Sequence, residues 1–191
     1  MTNDFTLSVG QAHELELAMN RAGGWDGAIV KALSTGSKLA DVRDVLLGRS
    51  EIKPAEHVID CDADPFVPEG WKVEEHKKSG KVKWSKELIQ LYLSAGQKDG
   101  KCIEGNKLRK ELAVKPVLNA NVLDYLLAHT ELIPEEWKGK YVFFWGTIYR
   151  DSDGSLGVRC LYWDDDRWSW SCIWLGDDFH DDNPAALSAS I

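Results

Sequence analysis

The chain has 191 residues, 43% of them hydrophobic and 28% charged, enough for one or two domains with a real core. Thirty-one acidic against 23 basic side chains leave a formal charge of −8, so the molecule as a whole is not drawn to DNA or to an anionic membrane surface. With no apolar run near the roughly 20 residues that span a bilayer, no secretory signal in MTNDFTLSVGQ, and four scattered cysteines, a reduced cytoplasmic protein is expected.

Residues 1–50 read as a small helical segment. Ser8 caps a helix that Gly23-Gly24 stops, Asp26 caps a second, and Ser37 caps a third carrying Leu39, Val42, Val45 and Leu46. The outline is that of a helix-turn-helix, but Asp41 and Asp44 on the third helix oppose phosphates, so a plain helical bundle is the better reading. Residues 51–70 hold three prolines and form a connector with one short strand around Val58 and Ile59.

Residues 71–139 combine a Lys-rich hairpin or loop with a helical segment. Ser85 is placed as the cap of a helix over Leu88, Ile89, Leu91, Tyr92 and Ala95. A short helix spans about 107–113, and Asn119 caps a strong one over 120–129, with Val122, Leu123, Leu126 and Leu127 facing inward. Residues 140–182 switch to a period of two and predict an antiparallel aromatic β-meander, with DSDG and DDDR as its turns; 183–191 is a tail. The expected fold class is therefore α+β: helical N-terminal and central segments with a C-terminal three-stranded antiparallel β-meander.

Strand pairing follows from the turns. It sets Arg150 opposite Ser155 and Trp145 opposite Cys160, then Trp163 opposite Trp168 and Leu161 opposite Trp170. Cys160 and Cys172 fall on opposite faces and share neither a metal nor a disulfide. One face holds Tyr141, Phe143, Trp145, Thr147 and Tyr149; the other holds Ile148, Arg159, Trp163, Trp168, Trp170 and Trp174. Both faces are aromatic, so both need covers. The helices of 85–129 supply one, and the second is either covered by the N-terminal helices or open to a partner.

The stretches IDCDADPFVPEGWKVEEH, IEGNKLRKELA, NVLDYLLAHTELIPEEWKGKYVFFWGTIYR and VRCLYW…WSW…WL, spanning about 56–189, resemble a bacterial protein family that has a C-terminal Trp-rich cassette and no assigned activity. That resemblance implies a cytoplasmic bacterial protein and carries over no catalytic or binding residue.

The favoured function is non-catalytic binding through Arg159, Trp163, Trp168, Trp170 and Trp174, with a protein partner or self-association through the meander. The alternative is single-stranded nucleic acid (RNA) on the basic middle, through Lys77, Lys78, Lys81, Lys83 and the ring of Trp84. No membrane partner, cofactor or metal is expected. Cys61 lies beside Asp62 and Asp64, which work against a thiolate, and DSDGS lacks the closing Glu of a calcium loop.

Overall fold

The structure, a computed structural model, describes residues 6–53 and 56–189. The chain divides into two units, Met1–Ala55 and Glu56–Ile191.

The first unit contains α1 (Val9–Ala22), α2 (Gly27–Leu33) and α3 (Lys38–Leu46). Ser8 and Gln11 form a capping box at α1, and Asp26 accepts from the Ile29 N–H at 2.8 Å to start α2. Ser37 does not cap α3 through its side chain, which instead donates to Asp41 at 3.1 Å. None of the three helices buries a residue, and Ile29, Val30, Leu39, Val42 and Leu46 are exposed. The expected bundle is thus three helices, the first two capped by side chains, without a core of their own: too few apolar side chains stand on them to enclose one another.

The second unit is α+β. Its strands are β1 (Val58–Asp60), β2 (Lys72–His76), β3 (Lys81–Lys83), β4 (Ile89–Tyr92), β5 (Ile103–Glu104), β6 (Val142–Arg150), β7 (Leu156–Asp164), β8 (Arg167–Trp174), β9 (Asp178–Phe179) and β10 (Ala185–Ser188). Its helices are α4 (Gly105–Leu112) and α5 (Ala120–Ala128). In place of the expected three-stranded meander there is a six-stranded mixed sheet ordered β4-β10-β6-β7-β8, with β2 also on β6, in which β7 pairs antiparallel with β6 and β8. Two further expectations are corrected here. Ile89–Tyr92 is strand rather than helix, and the tail contains β10, which pairs antiparallel with β4 and parallel with β6 at Phe143.

The β7–β8 register sets Leu161 against Trp170, Trp163 against Trp168 and Gly157 against Trp174, with Cys160 and Cys172 on opposite faces. Asp165 and Asp166 close it with positive φ at both positions (45° and 60°), the two-residue turn that matches strand twist. The β6–β7 register is not the one the turn implies. Phe143, not Trp145, faces Cys160, and Arg150 faces Leu156; five steps along β6 match two along β7 between Phe143/Cys160 and Ile148/Val158. This bulge moves Ile148 to the face of Val158 and turns Thr147 and Tyr149 to the face of Arg159.

The bulge has a visible cause. Gly146 lies so close to the start of α5 that a Cβ would come within 2.8 Å of Asn119 backbone atoms. The Gly146 N–H donates to the Leu118 carbonyl at 2.8 Å, and the Ala120 N–H donates to Thr147 Oγ1 at 3.0 Å. Asn119 donates to the carbonyls of Cys61 (2.8 Å) and Lys77 (3.0 Å), tying the loop after β1 and the end of β2 to the same corner.

Helices from one stretch of chain cover opposite faces. Leu108 and Leu112 of α4 pack with Phe143, Trp145, Ile148, Val158, Cys160 and Phe179. Val122, Leu123 and Leu126 of α5 pack with Val142, Phe144, Leu161, Trp84 and Trp137. Each such fully buried side chain contributes about 1.5–3 kcal/mol. The second aromatic face therefore receives α5 and the two-stranded β1–β3 ladder from its own unit.

Candidate functional site

The five residues singled out on β7 and β8 share one face, but they do not form one open platform. Arg159 is only 1% exposed. Its guanidinium makes a two-pronged pair with Asp124 of α5, Nη2 to Oδ1 at 2.6 Å and Nη1 to Oδ2 at 3.1 Å. It lies 4.3 Å from the Trp170 ring centre and 5.2 Å from that of Phe66. Burial works against the charge, but Asp124 and then the Tyr149 hydroxyl outweigh it and raise the guanidinium pKa above its ordinary value. Arg159 is a fixed, compensated cation rather than a free one.

The tryptophans separate around it. Trp163 and Trp168 meet edge to face at 5.3 Å, and Lys138 Nζ sits 3.9 Å over the Trp163 ring. At the other end Trp174 packs on Trp71 at 5.2 Å, and the ring of Trp71 reaches that of Tyr149 at 6.0 Å. Gly157 makes this possible, since a Cβ there would meet the Trp174 ring at 2.8 Å. Trp163, Trp168 and Trp174 are half-buried; Trp170 between them is 37% exposed, beside Phe66 at 54%. Phe66 meets Trp170 edge to face at 6.1 Å.

Beside this aromatic pair runs an open strand edge. β8 ends the sheet order, and among the described residues its only ladder partner is β7. Eight residues long, it carries no proline and one charge, Arg167 at its start. Asp164–Asp166 precede it and Asp177 and Asp178 follow it. Strand edges of this kind present unpaired backbone donors and acceptors.

The lysine-rich segment is arranged differently. Lys77 Nζ donates to the Ala113 carbonyl at 2.9 Å, and Lys83 pairs with Glu56 at 2.5 Å. Lys78 and Lys81 are exposed. Trp84 is not beside them as a stacking surface: it is buried in the core, edge to face with Trp137 at 6.3 Å. The cysteines offer no nucleophile. Cys61 is fully buried and its pKa is raised, first by burial, while burial pushes Cys160 and Cys172 up to about 12. Among the described residues no group of three His, Cys, Asp or Glu converges for a metal, and Asp151 Oδ1 instead accepts from the N–H groups of Asp153 and Ser155 within its own turn.

Asp124, Phe66, Trp71 and Tyr149 were not singled out by sequence reasoning. Asp124 has a readable signal: it is the lone charge in ANVLDYLLA. Phe66 lies in the 51–70 connector and Trp71 at the start of the Lys-rich segment, neither with periodicity to mark it, and Tyr149 reaches this face only through the bulge. No helix among the described residues is long and apolar enough to cross a membrane. The chain matches no known family, no curated protein and no solved structure.

Proposed function

We propose that the protein is a non-catalytic binding protein whose β8 edge takes an extended segment of a partner protein. The observation that supports this reading is the pairing of a free eight-residue edge with exposed Trp170 and Phe66 at its middle. Main-chain hydrogen bonds to an edge give affinity, and side-chain pockets beside it give selectivity. A half-exposed tryptophan packed against an arginine and a phenylalanine that also touch each other is a rigid anchor of the kind that dominates interfaces. The aspartates at both ends of β8 favour a segment with basic residues flanking its apolar centre.

Selection of displayed extended peptides against the full chain tests this, with Trp170→Glu as the counter-selecting variant. Peptides that bind wild type and lose Trp170→Glu, and that protect β8 amides from hydrogen exchange, support the reading. A Trp170→Glu chain that melts within a few degrees of wild type yet binds the same peptides overturns it. Sedimentation of the unliganded chain separates a second copy on β8 from a foreign partner. The lysine-rich segment supports nucleic-acid binding less well, because its tryptophan is in the core and two of its lysines are engaged.

A further inference from the structure

A cleft of about 700 Å³ opens between the end of β2, the outer side of α4 and β6, in the range that small-molecule sites occupy. Its lining is divided by chemistry. Leu112, Val117 and Trp145, all buried, give it apolar walls. Lys77, Arg109 and Lys110 stand at it with one carboxylate, Glu75. Arg109 Nη2 meets Glu75 Oε1 at 2.6 Å, and Lys77 spends one donor on the Ala113 carbonyl, so both keep further N–H groups. Lys110 is exposed and makes no ion pair among the described residues. Three cations against one acid reverse, at this point, the charge of a molecule at −8. Trp145 adds a second observation: it is 4% exposed, and its buried Nε1–H has no acceptor among the described residues, an uncommon condition for a buried donor.

We propose that this cleft binds a small anionic ligand with a flat apolar body. A phosphate or carboxylate is held by Lys77, Arg109 and Lys110, and the ring packs against Leu112, Val117 and Trp145. Charge supplies the attraction, and the apolar walls select for a body beyond the bare anion. The site is separate from the β8 edge and stands whether or not that edge binds a partner.

Four probes decide it: phenyl phosphate, benzoate, inorganic phosphate and benzyl alcohol, titrated into the ¹⁵N-labelled full chain. The readouts are the Trp145 indole N–H, assigned with Trp145→Phe, and the Ala113 amide. Phenyl phosphate or benzoate is expected to shift both saturably, the tighter of the two identifying the anion. Inorganic phosphate is expected to bind about tenfold more weakly. Lys110→Gln is expected to weaken the ring-bearing anion about fivefold, and Ala113→Phe, at an exposed lining position, to block it by filling the cleft. Equal binding of inorganic phosphate means an adventitious ion only. Equal binding of benzyl alcohol means an apolar hollow without anion selectivity. Either result, indifference to Lys110→Gln, or no saturable shift below about 10 mM, overturns the proposal.

Discussion

Removing Asp124 tests whether Arg159 is a compensated cation or an incidental contact. In Asp124→Ala the guanidinium keeps its place under Trp170 and Phe66 but loses both carboxylate bonds. Its Nε already lacks a partner, so the stranded charge has little left to satisfy it. Breaking a buried pair from one side costs about 3–5 kcal/mol. The Asp124 side chain is 31% exposed against 1% for Arg159, so water can reach the vacated position and the expected loss falls to about 2–3 kcal/mol. Arg159→Met removes the charge itself and leaves Asp124 partly hydrated, with an expected cost below about 1.5 kcal/mol. Urea unfolding followed by tryptophan fluorescence measures both, because eight of the nine tryptophans lie in Glu56–Ile191. An Arg159→Met loss equal to or larger than that of Asp124→Ala would refute the argument from stranded charge and make Arg159 chiefly a packing residue.

Trp84→Ala is expected to cost about 3–5 kcal/mol and Trp170→Ala less than about 1.5 kcal/mol, since the first ring is enclosed by the α5 core and the second is 37% exposed; thermal melts that rank them the other way refute the placement of the two rings. Glu111 accepts from the hydroxyls of Tyr92 and Ser94, and these bonds, the first above all, lower its pKa. The stability it contributes is therefore present above the unfolded carboxylate value of about 4.3 and lost as pH falls through the lower folded value. Glu111→Gln should be less stable than wild type at pH 7, the gap closing below about pH 4; a gap that is the same at both pH values contradicts the sign. Cys102 is exposed, but its hydrogen bond with Asp178 raises its pKa and keeps it a thiol. Alkylation by iodoacetamide at pH 8 should accelerate in Asp178→Asn, and an unchanged rate removes Asp178 as the cause.

The β7–β8 register is legible in the sequence because both strands alternate cleanly and DDDR leaves room for only a tight turn. The β6–β7 register is not, because its bulge answers to a partner distant in sequence. Gly146 gives way to the backbone of Asn119, and Thr147 turns to take the Ala120 N–H. A local reading sees only that Gly146 has no side chain. The segment Leu88–Tyr92 shows the same limit. Its contiguous apolar residues suit a helix or a strand, and the strand wins because β10, nearly a hundred residues later, supplies a ladder for Ile89–Tyr92. A four-residue AALS strand in a terminal segment carries too little pattern to announce that partner.

The count of covers explains why the proposed recognition surface is an edge and not the whole face. Two apolar faces need two layers, and α4 and α5 divide that work although only seven residues separate them. Once α5 lies over β6 and β7, Asp124 reaches Arg159 and the cation that the sequence offers to a ligand is already satisfied. Its contribution to the proposed binding is then indirect. Held by two carboxylate bonds, it fixes the Trp170 ring, and Phe66 packs edge to face on that ring and against the same guanidinium. A side chain ordered before binding loses less entropy when a partner arrives, by about 0.5–1.5 kcal/mol for each group so held. Asp124→Ala should accordingly weaken a β8-bound peptide several-fold without touching it, mainly by loosening Trp170. Arg159→Met should weaken binding as well, despite its smaller effect on folding. A peptide affinity unchanged by both substitutions would mean that the edge binds through its backbone alone.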